Sequence, residues 1–462
     1  MKITLLSLTF SLIILSGIDS LAQNNSINYN WKAGVSTVKI TPSEAMPMAG
    51  FAARTHSSEG ILHDIWAKAL IIEDSKGKRA VMISSDLLGF PKVMSDLIRD
   101  RIKTQFGLGR DQILLNSSHS HSGPVIGDAL TDVYLLDNQQ VASVINYSKN
   151  LEDQIVKLVG DAIKNMEPVE LYSQNGVTRF QVNRRNNNAN LLTQLTELQG
   201  PNDFAVPVLK AVTAKGNLKA IAFGYACHPT VLSGYDWSGD YPGFAQIELE
   251  KDHPGTTALF FQSSGADQNP LPRHTVPLAK QYGRELAAAV DRVLEEDMRK
   301  LPSNLITSYS ELDLPLAASP TEAELTKIIN NTAGAAYQKR WAQRFLTKIK
   351  AGEKLITSYP YPVQVWSIGN LPLVSLGGEL LVEYGIKIKQ MLGEDTFVYG
   401  YSNDVMSYIP SSTVLKEGGY EGEAAHTVYG LPSKWQVGVE SRILNEVLKL
   451  AEKNGQIKKS KN

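Results

Sequence analysis

An α/β fold, with a mixed or parallel β-sheet core and flanking helices, is predicted by three features of the sequence. Short apolar runs of strand length recur, stretches of helical periodicity lie between them, and the apolar runs end in clusters of polar residues. The runs are residues 80–84, 113–115, 220–226, 258–261, 372–376 and 397–400. Helical spacing sets Leu151, Ile155, Leu158, Val159, Ala162 and Ile163 on one face, then Leu286, Ala289, Val290 and Val293, and near the end Ile443, Val447 and Leu450. No repeat of solenoid period occurs, so residues 23–455 are expected to form one catalytic domain. A Lys-rich tail follows at 456–462.

The first residues carry their own signal. Lys2, an apolar stretch over 3–18 and Ser20-Leu21-Ala22 before Gln23 predict a signal peptide at 1–22, and hence export to the periplasm or the medium. No later stretch approaches the ~20 apolar residues of a membrane span, so no integral membrane segment is expected. Cys227 is the only cysteine, which excludes an intrachain disulfide. Lys+Arg 46 against Asp+Glu 47 leaves a net charge of -1 and no global basic field for nucleic acid. Any electrostatic preference must be local to a site.

The strand ends supply candidates for that site. Residues 80–83 run into Asp86, 113–115 into His119 and His121, and 222–226 into His228. Residues 259–261 lead to Asp267, 373–376 to Glu379, and 397–399 to Asn403 and Asp404. Ligands of α/β sheets bind beyond the carboxyl ends of strands, so these clusters are expected to converge on one crevice at those ends. His119-Ser120-His121 can present both imidazoles to one side, because alternate strand residues share a face. Taken singly, each histidine also fits a hydrogen-bonded structural role, and Glu379 after Gly377-Gly378 fits a helix cap. Two imidazoles and a carboxylate from separate strands are a common zinc donor set. Asp86, Asp240 and Asp267 are either partners of the histidines or turn caps.

Stretches 116–124, 226–230, 377–379 and 402–410 resemble, in order and spacing, the catalytic domain of neutral/alkaline ceramidases. The resemblance runs from about Gly34 through Gly430, with supporting stretches at 34–42, 47–51, 66–69, 183–184, 239–243 and 419–422. It implies that His119, His228, Glu379 and Tyr408 hold Zn2+, that His121 is an acid/base group, and that Arg184 neutralises developing negative charge. The chain departs from the family in two ways. Asn269, in Gly265-Ala266-Asp267-Gln268-Asn269-Pro270, stands where ceramidases resembling this chain have a serine, and the resemblance includes no C-terminal immunoglobulin-like domain.

Arg54, His56, His63, Arg185, Arg273 and His274 add basic and polar groups in loops around the candidate site. Arginine forks suit carboxylate and sulfate, so Arg54, Arg185, Arg273, His274 and Asn269 are expected to bind substrate, and an acidic oligosaccharide is the expected partner. The expected activity is a lyase or dehydratase of carbohydrate degradation, acting on a uronic acid by β-elimination. His121 or Tyr408 would abstract the proton and Arg184 would clamp the carboxylate. The alternatives are a zinc-dependent amide hydrolase of ceramidase type on an N-acyl substrate, and a non-catalytic carbohydrate-binding protein.

Overall fold

All six apolar runs are strands in the computed structural model, which describes residues 30–457. They are Arg79–Ser85, Ile113–Ser117, Leu218–Tyr225, Thr257–Gln262, Leu371–Leu376 and Phe397–Tyr399. The periodic segments are the helices Asn138–Lys164, Val276–Glu295 and Val439–Lys453. Asp137 and Gln140 close the first of these with a reciprocal capping box. The expected signal peptide and the tail beyond residue 457 lie outside the described residues.

Several long antiparallel strands were not legible as apolar runs. Glu167–Val177, for example, alternates buried and part-exposed positions, so polar residues interrupt it at every second place. With these strands included, the described residues form a nine-stranded mixed sheet. Eight strands run from Thr257–Gln262 through Leu218–Tyr225, Ala205–Thr213, Glu167–Val177, Trp31–Lys39, Trp66–Glu73 and Arg79–Ser85 to Ile113–Ser117, and the ninth, Arg299–Lys300, pairs with Glu167–Val177 off this path. The strand pairs at its two ends are parallel and those in between antiparallel. A four-stranded sheet contains Leu305–Pro315, Ser358–Ile368, Leu371–Leu376 and Phe397–Tyr399, the last two parallel to each other.

Strand alternation explains how the layers assemble. Leu70, Ile72, Met82 and Leu114 pack with Trp366, Leu373 and Phe397 of the smaller sheet, forming one core between the sheets. Ile71, Val81, Ile83 and Leu115, on the opposite face of the same strands, pack against Ile98 and Ile102 and against Leu151, Ile155 and Val159 of two covering helices. Ile443, Val447 and Leu450 cover the outer face of the smaller sheet. The result is helix, sheet, sheet, helix.

Polar side chains join the strand ends of the two sheets. Asn116 donates from Nδ2 to the Gly400 carbonyl at 2.8 Å and accepts from the Gln262 backbone N–H at 3.0 Å. Asn403 accepts from the Leu115 N–H at 3.1 Å and donates to Gln364 Oε1 at 3.0 Å. Buried groups of this kind persist only when each finds a partner. These contacts bring the carboxyl end of Ile113–Ser117 to those of Thr257–Gln262 and Phe397–Tyr399, whose parallel partners Leu218–Tyr225 and Leu371–Leu376 end beside them. Among the described residues, no helix is long and apolar enough to cross a membrane.

Candidate metal centre

His119, His121, His228 and Glu379 meet at that junction, and the first two need an unusual backbone to do so. The chain turns sharply after Ser117, with His119 in the left-handed region at φ 64. A non-glycine residue rarely adopts that conformation, so the turn is held by its surroundings. Gly50, at φ 104, lies against the His121 ring: a Cβ there would stand 2.5 Å from His121 Cγ. Gly378, at φ 73, makes the corresponding turn before Glu379, where a Cβ would meet Ile409 and the Ser407 carbonyl.

The hydrogen bonds fix which atoms face inward. His119 Nδ1 lies 2.5 Å from the Leu88 carbonyl and His228 Nδ1 3.2 Å from the Gly265 carbonyl. A carbonyl only accepts, so both imidazoles carry their proton on Nδ1 and turn a bare Nε2 lone pair inward. These two Nε2 atoms lie 3.2 and 3.3 Å from Glu379 Oε2. His228 Nε2 and Glu379 Oε2 are buried and have no hydrogen-bond partner. Acceptors facing one another at such distances repel unless a cation or a proton lies among them, and this donor set suits zinc. Ligand atoms of His119, His121 and His228 all lie within 4.8 Å of one another. The cluster is buried: His119 and His228 are 1 % exposed and Glu379 2 %.

Burial, reinforced by the neighbouring histidines and Arg184, pushes the His228 pKa well below its ordinary value. Burial does the same to His121, helped by His119, Arg54, Arg184 and Arg273. Both are therefore held in the neutral form that a metal ligand or a general base requires. His121 Nε2 lies 3.2 Å from His119 Nε2, and its Nδ1 is buried without a partner. His121 thus stands beside the other two histidines, within reach of the same centre.

Two short strand pairs bring in the remaining candidates. Glu379–Leu380 pairs in parallel with Tyr408–Ile409, Glu379 opposite Tyr408. Gln181–Asn183 pairs with Gln268–Pro270, which seats Arg184 beside Asn269, with Arg184 Nη1 3.5 Å from Asn269 Oδ1. Arg184 Nη2 donates to the Tyr408 hydroxyl at 3.1 Å, and Nε donates to Glu421 at 2.8 Å. Burial acts to lower the Arg184 pKa, but Tyr408 and Glu421 outweigh it and hold the guanidinium well above its ordinary value. The Tyr408 ring lies parallel to that of His228, 5° apart in plane with centroids at 6.4 Å.

Other sequence candidates lie outside this set. Arg185 is turned away, bound to Glu417 at 2.9 Å and to Glu421 at 2.7 Å. His56 is exposed and stacked on Tyr235, and His63 holds the Ser238 hydroxyl at 3.0 Å. His274 is exposed, 3.3 Å from Ser233 Oγ. Asp86, Asp240 and Asp267 hold turns: their oxygens accept from the backbone N–H groups of Trp66, of Leu232 and Tyr241, and of Val382. Backbone carbonyls, not these carboxylates, orient the histidines.

Sequence reasoning missed two residues. The Tyr429 hydroxyl donates to Glu379 Oε1 at 2.5 Å, which fixes the carboxylate's rotation. Glu421 sits in the π-helical turn Tyr420–Ala424 and bridges Arg184 and Arg185. Stretch 419–422 signalled the second; nothing local signalled the first. Leu88 and Tyr429 also line a cavity of about 370 Å³ whose wall includes Leu130, Val405, Met406 and Leu431.

The family model described as neutral/alkaline non-lysosomal ceramidase, N-terminal, matches residues 31–272. The neutral ceramidase of Pseudomonas aeruginosa is 22 % identical over 475 residues, which cover 87 % of this chain and 69 % of that protein. Neutral ceramidase A of Dictyostelium discoideum is 26 % identical over 266 residues, and the match spans 53 % of this chain and only 36 % of that protein. The crystal structure of the Pseudomonas aeruginosa neutral ceramidase has a TM-score of 0.69 at 21 % identity over 92 % of this chain and 75 % of that chain, which shows a shared fold.

These similarities overturn the expectation of a uronate lyase or dehydratase in carbohydrate degradation, together with the acidic oligosaccharide as partner. The expectation rested on arginine charge and on the departures from the family pattern, Asn269 in place of a serine among them. Glu421 neutralises much of that charge, because it binds both Arg184 and Arg185.

Proposed function

Since the chain belongs to the neutral/alkaline non-lysosomal ceramidase family, we propose that it is an exported zinc-dependent amidase that hydrolyses an N-acyl, ceramide-type amide. The observation that carries this reading is the convergence of the His119 and His228 Nε2 lone pairs on the unpartnered Glu379 Oε2. His119, His228 and Glu379, with Tyr408 as fourth donor, would hold the ion. Zinc bound there supplies a Lewis acid that polarises an amide carbonyl.

The chain's own residues account for the proton movements. Water adds to the amide carbon, the C–N bond breaks, and the products are a carboxylate and an amine. His121, neutral and beside the donor cluster, takes a proton from the attacking water and passes one to the departing nitrogen. Arg184, kept charged by Glu421 and Tyr408, faces the developing oxyanion. Asn269, where the related ceramidases have a serine, offers an amide at the same wall. A cavity of about 370 Å³ beside Leu88 and Tyr429 falls within the size range of small-ligand pockets, with Leu130, Val405, Met406 and Leu431 in its wall alongside Lys92, Asp96, Asp128 and Asp404.

The test is fatty acid release from a short-chain ceramide by the purified protein. Release should stop on chelation, return with added zinc, and be absent in His119→Ala and His228→Ala. No release by zinc-loaded, folded protein across a series of N-acyl amides would overturn the proposal.

A further inference from the structure

The loop that follows His228 ties together two arginines that have no acid partner. Arg54 donates to the Ala49 carbonyl at 2.5 Å and to the Gly234 carbonyl at 2.8 Å, and its Nε is buried with no partner. Its guanidinium lies 5.0 Å from the centroid of the Phe51 ring, and that ring is 4.8 Å from the His121 ring. Arg273 reaches only Thr230 Oγ1, at 3.4 Å. Thr230 and Gly234 belong to the same short loop, so both cations stand at one rim of the metal centre. Among the described residues, neither forms a salt bridge. The acid that acts on Arg273 is Asp240, whose two oxygens accept backbone N–H groups of Leu232 and Tyr241.

This contrasts with the other arginines of the site. Arg184 and Arg185 have Glu421 between them, so their charge is compensated within the fold. Arg54 and Arg273 meet carbonyl and hydroxyl oxygens, which supply partial charges only. Burial draws the Arg54 pKa down to about 10, and burial together with the Arg184 charge lowers that of Arg273. Uncompensated, partly buried cations beside a third cation destabilise a fold unless an anion joins them. Guanidinium groups match oxyanions through paired N–H donors.

We propose that the substrate carries an oxyanion, a carboxylate or a sulfonate, close to its scissile amide, and that Arg54 and Arg273 receive this group. Within the N-acyl amides, the preferred substrates are then those that bear such a group, as N-acyl amino acids and N-acyl aminosulfonates do. The proposal rests on the amidase reading for its reaction and not for its binding.

The experiment therefore measures both. Zinc-loaded full-length protein is titrated by calorimetry with dodecanoyl-glycine, dodecanoyl-taurine and the neutral dodecanoyl-ethanolamine, and cleavage of each is followed separately. At least one anionic amide should bind about tenfold or more tightly than the neutral one, as charged hydrogen bonds imply. The glycine and taurine arms distinguish carboxylate from sulfonate. Arg54→Gln and Arg273→Gln should each collapse the difference. Arg273→Gln removes a single weak side-chain contact, so it keeps the test valid should Arg54→Gln fail to fold. Equal binding of anionic and neutral amides, or a preference that survives in the folded variants, would overturn the proposal. An arginine-dependent preference without cleavage of any amide would leave the anion site standing and remove the amidase reading.

Discussion

Replacing Tyr429 with Phe should weaken zinc binding by about 10–100-fold while leaving the fold intact. The hydroxyl donates to Glu379 Oε1, and the carboxylate is 2 % exposed, so water cannot replace the lost donor. Burial and the Glu379 charge push the Tyr429 pKa well above its ordinary value, so the hydroxyl keeps the proton it donates. A hydrogen bond to a charged group contributes about 1.5–3 kcal/mol. At about 1.4 kcal/mol per decade, that range is again roughly 10–100-fold in affinity. Phe keeps the ring, which packs 6.4 Å from that of Tyr408, so the packing loss is small. The assay is competition for zinc against a chromophoric chelator, with thermal melting of the metal-free protein as the control for folding. If folded Tyr429→Phe binds zinc within about twofold of the parent, Glu379 is not oriented through this hydroxyl and the assigned donor set is wrong.

Glu421→Gln should lower kcat/KM on an N-acyl amide by about tenfold or more, because Arg184 and Arg185 lose their shared carboxylate; unchanged kinetics would show that Arg184 needs no such support. Gly50→Ala should destabilise the protein by more than about 1 kcal/mol, since φ is 104 and the added Cβ would meet the His121 ring; an unchanged denaturant midpoint would count against the described turn. Burial raises the Asp404 pKa from 3.8 to about 7, so its contribution to stability is fully present below the unfolded value and is lost as pH rises through that window. Urea midpoints should accordingly fall less between about pH 4 and 7 in Asp404→Asn than in the parent, and equal slopes would refute the assignment.

The sequence by itself determined the strands that carry the site, because their apolar runs are long enough to be buried on both faces. It also placed His119, His228 and Glu379 at strand ends, and family membership followed from ordered motifs around them. Three things depended on the tertiary structure, since each joins residues far apart in the chain. Which ring nitrogen of His119 and His228 turns inward is set by the carbonyls of Leu88 and Gly265, and backbone acceptors leave no trace in residue type. Tyr429 reaches Glu379 from a helical turn fifty residues away, and no local pattern distinguishes it from a core tyrosine. The arginines look alike in sequence, yet Glu421 neutralises Arg184 and Arg185 while Arg54 and Arg273 retain uncompensated charge. Counting basic residues therefore misled the choice of substrate. Charge acts through its nearest partner, and only the folded chain decides which partner that is.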